Sequence, residues 1–264
     1  MLNEQLRTLS EALDDALGSR MAASAPPPLV HVCVPPFVHT PHTPCLWPLL
    51  TLRGGRDFVI DVDFMRGGEL LYTGTTIVSF VGILNGMRPG ADGYSFSMDA
   101  RCQGGKLWAN LLESLIFGAM EPCQHARFVM ENANNFEEAV HLFETGKIID
   151  DGYFIIGGSE AGQGAVVTRA RNHNVDTWRI DPEDKEHGWY RLETNYDHFD
   201  EVPTADDRRT PGFANMEAVG VDNMNEDSLL SEVMTQWPTF NSHTDLTCIM
   251  RPATGLYDCT VWLD

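Results

Sequence analysis

The spacing of apolar and polar residues divides the chain into stretches with different periods. Leu2, Leu6, Leu9, Leu13 and Leu17 recur at steps of four and three, the stripe of an amphipathic helix. Residues 22 to 48 then lose any period: AASAPPPLVHVCVPPFVHTPHTPCLWP is rich in Pro and His and reads as a linker or as sequence outside the fold. From Arg56 the alternation is regular. In RDFVIDVDF, Phe58, Ile60, Val62 and Phe64 share one face while Asp57, Asp61 and Asp63 share the other, which predicts a half-buried strand. Arg66, Gly67 and Gly68 turn it into ELLYTGTT as a hairpin, and after the glycine-punctuated turn FVGILNGMRPG a third strand is predicted at YSFSMDAR. Helical periodicity covers 106 to 118 and 136 to 145, and Pro122 opens a further helix between them. Strands return at DGYFIIGG, AVVTRA, DTWRI and WYRLETNY. Two helices are predicted near 212 to 219 and 226 to 235, and DLTCIM with LYDCTVWL forms a closing strand pair.

This order of strands, helices, strands, helices, strands favours antiparallel hairpins over parallel crossovers. Segregated helices on a largely antiparallel sheet make the class α+β, and a four-layer sandwich of two sheets between helices (αββα) satisfies the order. At 264 residues and 43 % apolar composition the chain has ample material for a buried core. Residues 1 to 55 are expected to lie outside that core, and 56 to 264 to form it.

Charge narrows the partners. There are 38 acidic against 18 basic residues, a formal net charge of −20. Residues 144 to 264 carry 23 acids and 9 bases, while residues 1 to 143 carry 15 and 9, so the second half is the more acidic. Such a field repels phosphate backbones, and nucleic acid is not an expected partner. Apolar runs such as LLESLIF and TTIVSFVGIL are far shorter than the roughly 20 residues that cross a bilayer. The first twenty residues lack the basic start and apolar stretch of a secretory signal, and no Asn-x-Ser/Thr sequon occurs. The six cysteines are scattered and leave the redox compartment open.

Candidate chemistry has to be weighed against plainer readings. Cys33, His39, His42 and Cys45 offer four soft ligands within thirteen residues, but their spacing matches no common zinc finger, so neither a metal nor another cofactor is expected. GGSEAGQG resembles a phosphate loop but lacks the Lys-Ser/Thr ending and joins two strands, as a hairpin turn does. No G-x-S-x-G elbow supports a serine triad. The stretch RLETNYDHF, followed by DDRRTP, is different. Asn195 at a strand end can aim an NH2 group at an oxyanion, and Arg208 or Arg209 can fix a carbonyl or carboxylate with a planar fork. Its plain reading has Asn195 capping a turn while Asp206 and Asp207 pair with the two arginines.

FVIDVDF, FVGILNGMRPG, SMDAR, NNFEEAV, YFIIGG, VVTRAR, RLETNYDHF and DDRRTP occur here in the order and approximate spacing of a known family. From about Arg56 to the end, the chain resembles the acid ceramidase and N-acylethanolamine-hydrolysing acid amidase family of N-terminal-nucleophile hydrolases. The resemblance implies an αββα sandwich lacking its first strand or strands, and hydrolysis of a lipid N-acyl amide to fatty acid and amine. It places Asn195 at the oxyanion-stabilising asparagine, Arg208 at an active-site arginine, and Tyr196 and Asp197 as neighbours that set the loop. Family members cut themselves before a cysteine, whose α-amine, with a pKa of about 7.7–8.0, then serves as base beside its thiol. That Cys-Thr-Ser strand and the Gly-Arg-Asn-x-Asp-Phe segment after it are not found. Cys45, the one residue placed as a candidate nucleophile, is followed by Leu46, Trp47 and Pro48, and Cys33 is flanked by VPP. Ala100 stands where the family commonly has an acid. The chain is therefore expected to be incomplete or inactive alone, or a non-catalytic lipid- or partner-binding relative. Further expectations from the resemblance are a lysosomal location, contact with a membrane surface, and either a separate α-chain or a homo-oligomer.

Overall fold

The computed structural model describes residues 56–101 and 118–262, together with the backbone of 30–33. The helix expected over 2 to 17, nearly all of that over 106 to 118, and the residues His39, His42 and Cys45 lie outside what it describes.

Seven strands form one antiparallel sheet in which each strand pairs with the next in sequence: β2 (Val59–Arg66), β3 (Glu69–Ile77), β4 (Asn85–Arg88), β5 (Tyr94–Ala100), β6 (Gly152–Gly158), β7 (Gly164–Ala170) and β8 (His173–Arg179). The second sheet is three-stranded, with β1 (Val30–Cys33) and β10 (Leu256–Val261) flanking β9 (Leu246–Arg251), again antiparallel. Thus four residues of the Pro/His-rich segment pair in register with β9, Val30 opposite Met250. Helices α1 (Pro122–Asn132) and α2 (Phe136–Thr145) begin as the sequence predicts. Pro122 occupies the first turn of α1, and the Asn135 side chain accepts from the Glu138 N–H at the start of α2. The end of α2 is held by the buried Arg169, whose guanidinium donates to the carbonyls of Phe143 and Gly146. Helix α3 (Arg209–Val219) is followed by α4, a short turn Glu226–Ser228 that continues as the π-helical stretch Leu229–Met234.

Two expectations differ from the structure. Asn85–Arg88 is a strand rather than part of a turn. Its Asn and Gly have low strand propensity, and pairing on both sides, with β3 and β5, overrides it. A Cβ at Gly86 would lie 3.2 Å from both the Thr73 carbonyl oxygen and the Phe96 ring, so the slot is narrow there. Conversely, WYRLETNY is not a strand. Its apolar side chains Trp189, Tyr190 and Leu192 pack into the cluster of α3 and α4, and the Arg191 guanidinium occupies the carbonyls of Arg179, His187 and Tyr190. β8 is consequently the edge of the sheet.

Strand alternation separates the two faces of the large sheet. Phe96, Met98, Phe154, Ile156 and Val167 share a buried apolar cluster with Val129, Phe136, Val140 and Phe143 of α1 and α2. On the other side, β9 directs Leu246, Cys248 and Met250 into the core shared with the large sheet, while Ile249 joins Met216, Val219, Leu229 and Val233 of α3 and α4. The layers are helix pair, seven-stranded sheet, three-stranded sheet, helix pair, which is the αββα order.

Cys248 and Cys259, directly opposite on β9 and β10, form a disulfide. It closes a loop with a sequence separation of 11. Chain entropy puts its contribution at about 2–3 kcal/mol. Denaturant unfolding of Cys248→Ser/Cys259→Ser is expected to show a loss of that size with a steeper denaturant slope, because the chain without its cross-link exposes more surface when it unfolds.

Candidate active site

The face of the large sheet that looks at the second sheet is polar. Register aligns Asp61, Thr75, Asn85 and Ser97 across four strands, and Asp99, Tyr153, Thr168 and Asp176 in the next row of that face. Thr75 donates to Asp61 at 2.5 Å, Tyr257 of β10 donates to the Asn85 carbonyl oxygen at 2.8 Å, and the Asn85 amide meets the Cys248 sulfur at 2.8 Å. An interior this polar is costly unless it is hydrogen-bonded or used. Ser97 Oγ, Asp99 Oδ1 and Thr168 Oγ1 are buried with no hydrogen-bond partner among the described residues.

Asn195 sits where this face ends. Its Nδ2 donates to the carbonyl of Ala100, the last residue of β5, at 2.9 Å. Its Oδ1 accepts from Arg208 Nη2 at 2.7 Å. An amide nitrogen carries two hydrogens, so the second N–H has no partner among the described residues. Arg208 is itself held by Asp206, with Nε to Oδ1 at 2.7 Å and Nη2 to Oδ2 at 2.8 Å. The structure thus brings both expected site residues into one partly buried chain of contacts, Asp206 to Arg208 to Asn195 to the end of β5.

The remainder of DDRRTP has other duties. Asp207, just before α3, accepts from the Thr210 N–H of its first turn, where Pro211 also stands. Arg209 is not paired with Asp207. It donates to the carbonyls of Tyr196, His198 and Asp200, and its guanidinium lies 4.2 Å from the centre of the Tyr196 ring. One arginine therefore holds the asparagine, and the other holds the backbone of the loop that carries it.

Sequence reasoning missed a second anchor. Arg101, just past β5, makes a two-point contact with Asp197, Nε to Oδ1 at 2.7 Å and Nη2 to Oδ2 at 2.6 Å, and the Tyr153 hydroxyl donates to the same carboxylate at 2.7 Å. The pair is enclosed, with side-chain exposures of 10 % and 4 %. Burial alone would raise the Asp197 carboxyl, but Arg101 and Tyr153 overcome it and hold it below the ordinary range. The contact raises the Arg101 guanidinium in turn. Two residues from Asn195, this clamp ties the 193–200 segment to the ends of β5 and β6. The signal in the sequence was the alternation of YSFSMDAR, which puts Ser95, Ser97 and Asp99 together on an interior face.

GGSEAGQG is the turn between β6 and β7, with Gly162 at φ +82°. Among the described residues no group of three or more His, Cys, Asp or Glu side chains converges as a metal site would require. Cys123 is a free thiol buried under the apolar face, and burial pushes it far above the ordinary range. Cys45 and Cys102 lie outside the described residues.

Comparison with known proteins adds an independent line. No family model matches the chain. An N-acylethanolamine-hydrolyzing acid amidase of Cavia porcellus is 35 % identical over 201 residues, 75 % of this chain and 54 % of that protein. An acid ceramidase of Mus musculus is 31 % identical over 208 residues, 77 % of this chain and 51 % of the other. The chain therefore spans about half the length of the relatives it matches. Among solved structures, a Caenorhabditis elegans N-acylethanolamine-hydrolyzing acid amidase ortholog superposes with a TM-score of 0.68 at 26 % identity, covering 89 % of this chain and 93 % of that one.

Proposed function

Because this chain belongs to the acid ceramidase and N-acylethanolamine-hydrolysing acid amidase family of N-terminal-nucleophile hydrolases, we propose that its site serves the cleavage of a lipid N-acyl amide to fatty acid and amine. The observation that carries this reading is the Arg208–Asn195–Ala100 chain of contacts at the end of the polar face. When a nucleophile adds to an amide carbonyl, its oxygen becomes an anion, and a fixed N–H donor lowers that barrier because it needs no reorganisation. Asn195 supplies the donor. Arg208, bonded to Asn195 Oδ1, fixes the rotation of the amide and adds positive charge behind it.

Of the described side chains, Cys248 and Cys259 are in a disulfide and Cys123 is buried as a thiol. Because the sequence has neither the Cys-Thr-Ser strand nor the Gly-Arg-Asn-x-Asp-Phe segment, we expect the chain by itself to bind a lipid amide and to hydrolyse it little or not at all; this is the specific ground for a binding role as the second reading. Purified protein incubated with N-acylethanolamine and ceramide substrates at acid pH is expected to release fatty acid at the background rate. Turnover that vanishes in Cys45→Ala would contradict the missing-nucleophile reading and place the thiol in this chain. An acidic, lysosomal compartment fits the family and the net charge of −20.

A further inference from the structure

The bridge between β9 and β10 abuts the polar face of the large sheet. β9 is the middle strand of its own sheet, with Cys248 between Val32 of β1 and Cys259 of β10. Cys248 is fully enclosed, while Cys259, on the outer strand, is half-buried. Across the layer lies Asn85, which is enclosed as well. Its Oδ1 accepts from the Thr75 N–H at 3.2 Å and from the Tyr257 hydroxyl at 2.8 Å, and these two bonds fix the rotation of the amide. Nδ2 is thereby turned to the sulfurs, 2.8 Å from Cys248 Sγ and 3.8 Å from Cys259 Sγ. A neutral disulfide sulfur is a weak acceptor, whereas an ionised acceptor forms the stronger hydrogen bonds. A buried amide fixed in this way suits negative charge on Cys248 better than it suits the intact bridge.

We propose that Cys248–Cys259 is a site of thiol–disulfide exchange with a low-molecular-weight thiol. The incoming thiolate attacks Cys259 Sγ, on the less buried residue, and forms the new S–S bond there. The old bond breaks with its electron pair on Cys248, which leaves as a thiolate held by the Asn85 N–H and is then protonated. The product is a mixed disulfide at Cys259 and a thiol at Cys248. A second thiolate attacks the small-molecule sulfur of that mixed disulfide and releases Cys259 as a thiolate. Two small thiols are thus oxidised to their own disulfide while the two cysteines take up two electrons and two protons. A thiolate leaves faster the lower its pKa, and a donor aimed at its charge lowers it. Attack with the roles reversed is disfavoured twice. Cys248 is enclosed, and Cys259 Sγ lies 3.3 Å from the Thr75 hydroxyl, whose one hydrogen is given to the Asp61 carboxylate. Opening the bridge unties β10 from β9 where Tyr257 and Asn85 join the two sheets.

The test needs no amide substrate and stands apart from the oxyanion reading of Asn195. The folded protein is held at neutral pH with excess reduced glutathione, quenched in acid at intervals, alkylated with a maleimide in denaturant and mapped by peptide mass. Early samples are expected to carry glutathione on Cys259 and maleimide on Cys248. The rate should rise in proportion to thiol concentration and exceed the rate of global unfolding. Asn85→Asp keeps an acceptor for the Thr75 N–H and Tyr257 but removes the amide donors, so exchange should slow about tenfold. A purely structural Asn85 gives the reverse, because looser packing exposes the bridge and speeds its reduction. Should that variant fail to fold, the position of the adduct and the rate in the native protein decide alone. Glutathione on Cys248, a bridge that opens no faster than the protein unfolds, or unchanged or faster exchange in folded Asn85→Asp would each overturn the proposal.

Discussion

Asp197→Ala is expected to cost about 3–5 kcal/mol of stability, a large part of the roughly 5–15 kcal/mol that holds an ordinary domain folded. The magnitude follows from what is left behind. Arg101 would remain enclosed with no carboxylate, and the Tyr153 hydroxyl would lose its acceptor, so desolvation already incurred by both groups would go uncompensated. The Arg179–Glu137 pair provides an internal control. It has comparable geometry, Nη2 to Oε2 at 2.8 Å, but its side chains are 43 % and 65 % exposed. Glu137→Ala should therefore change stability by about 1 kcal/mol or less. Equilibrium denaturation of the two variants side by side checks both numbers. Equal losses would mean that enclosure of the Asp197 carboxylate does not set its contribution.

The same comparison explains how much could be read in advance. Local periodicity carried the large sheet well: VIDVDF, ELLYTGTT, YSFSMDA, GYFIIGG and AVVTRA lie in strands, with Arg56–Phe58 a 3-10 turn before the first of them, and α2 spans the predicted 136 to 145. It failed where distant contacts decide. NGMR is a strand because it has a neighbour on each side, and WYRLETNY is not because Arg191 and the helix cluster claim its groups. In the site, Asn195 and Arg208 were legible because the motif is local and its resemblance specific. Arg101, Tyr153 and Asp99 were not, because 96 residues separate Arg101 from Asp197 and no spacing rule links them. Asp99 could have been suspected from its face of β5.

The second large effect concerns Asn195. A fatty-acid anion presents the charge that the oxyanion carries, so the Asn195 N–H should contribute about 1.5–3 kcal/mol to its binding, or about 10- to 100-fold in affinity. Asn195→Ala removes that donor together with the bonds to Ala100 and Arg208. Asn195→Asp keeps an acceptor for Arg208 but loses the bond to Ala100 and replaces the donor with negative charge. It should weaken binding at least as much. A loss caused only by release of residue 195 from Arg208 would instead be rescued by Asn195→Asp.

Calorimetric titration of the native protein, Asn195→Ala and Asn195→Asp with a fatty-acid anion, at neutral pH and below its micellar concentration, tests the central claim most directly. The account predicts saturable binding to the native protein and a 10- to 100-fold loss in both variants. Equal affinity in all three, or tighter binding to Asn195→Asp, would contradict it.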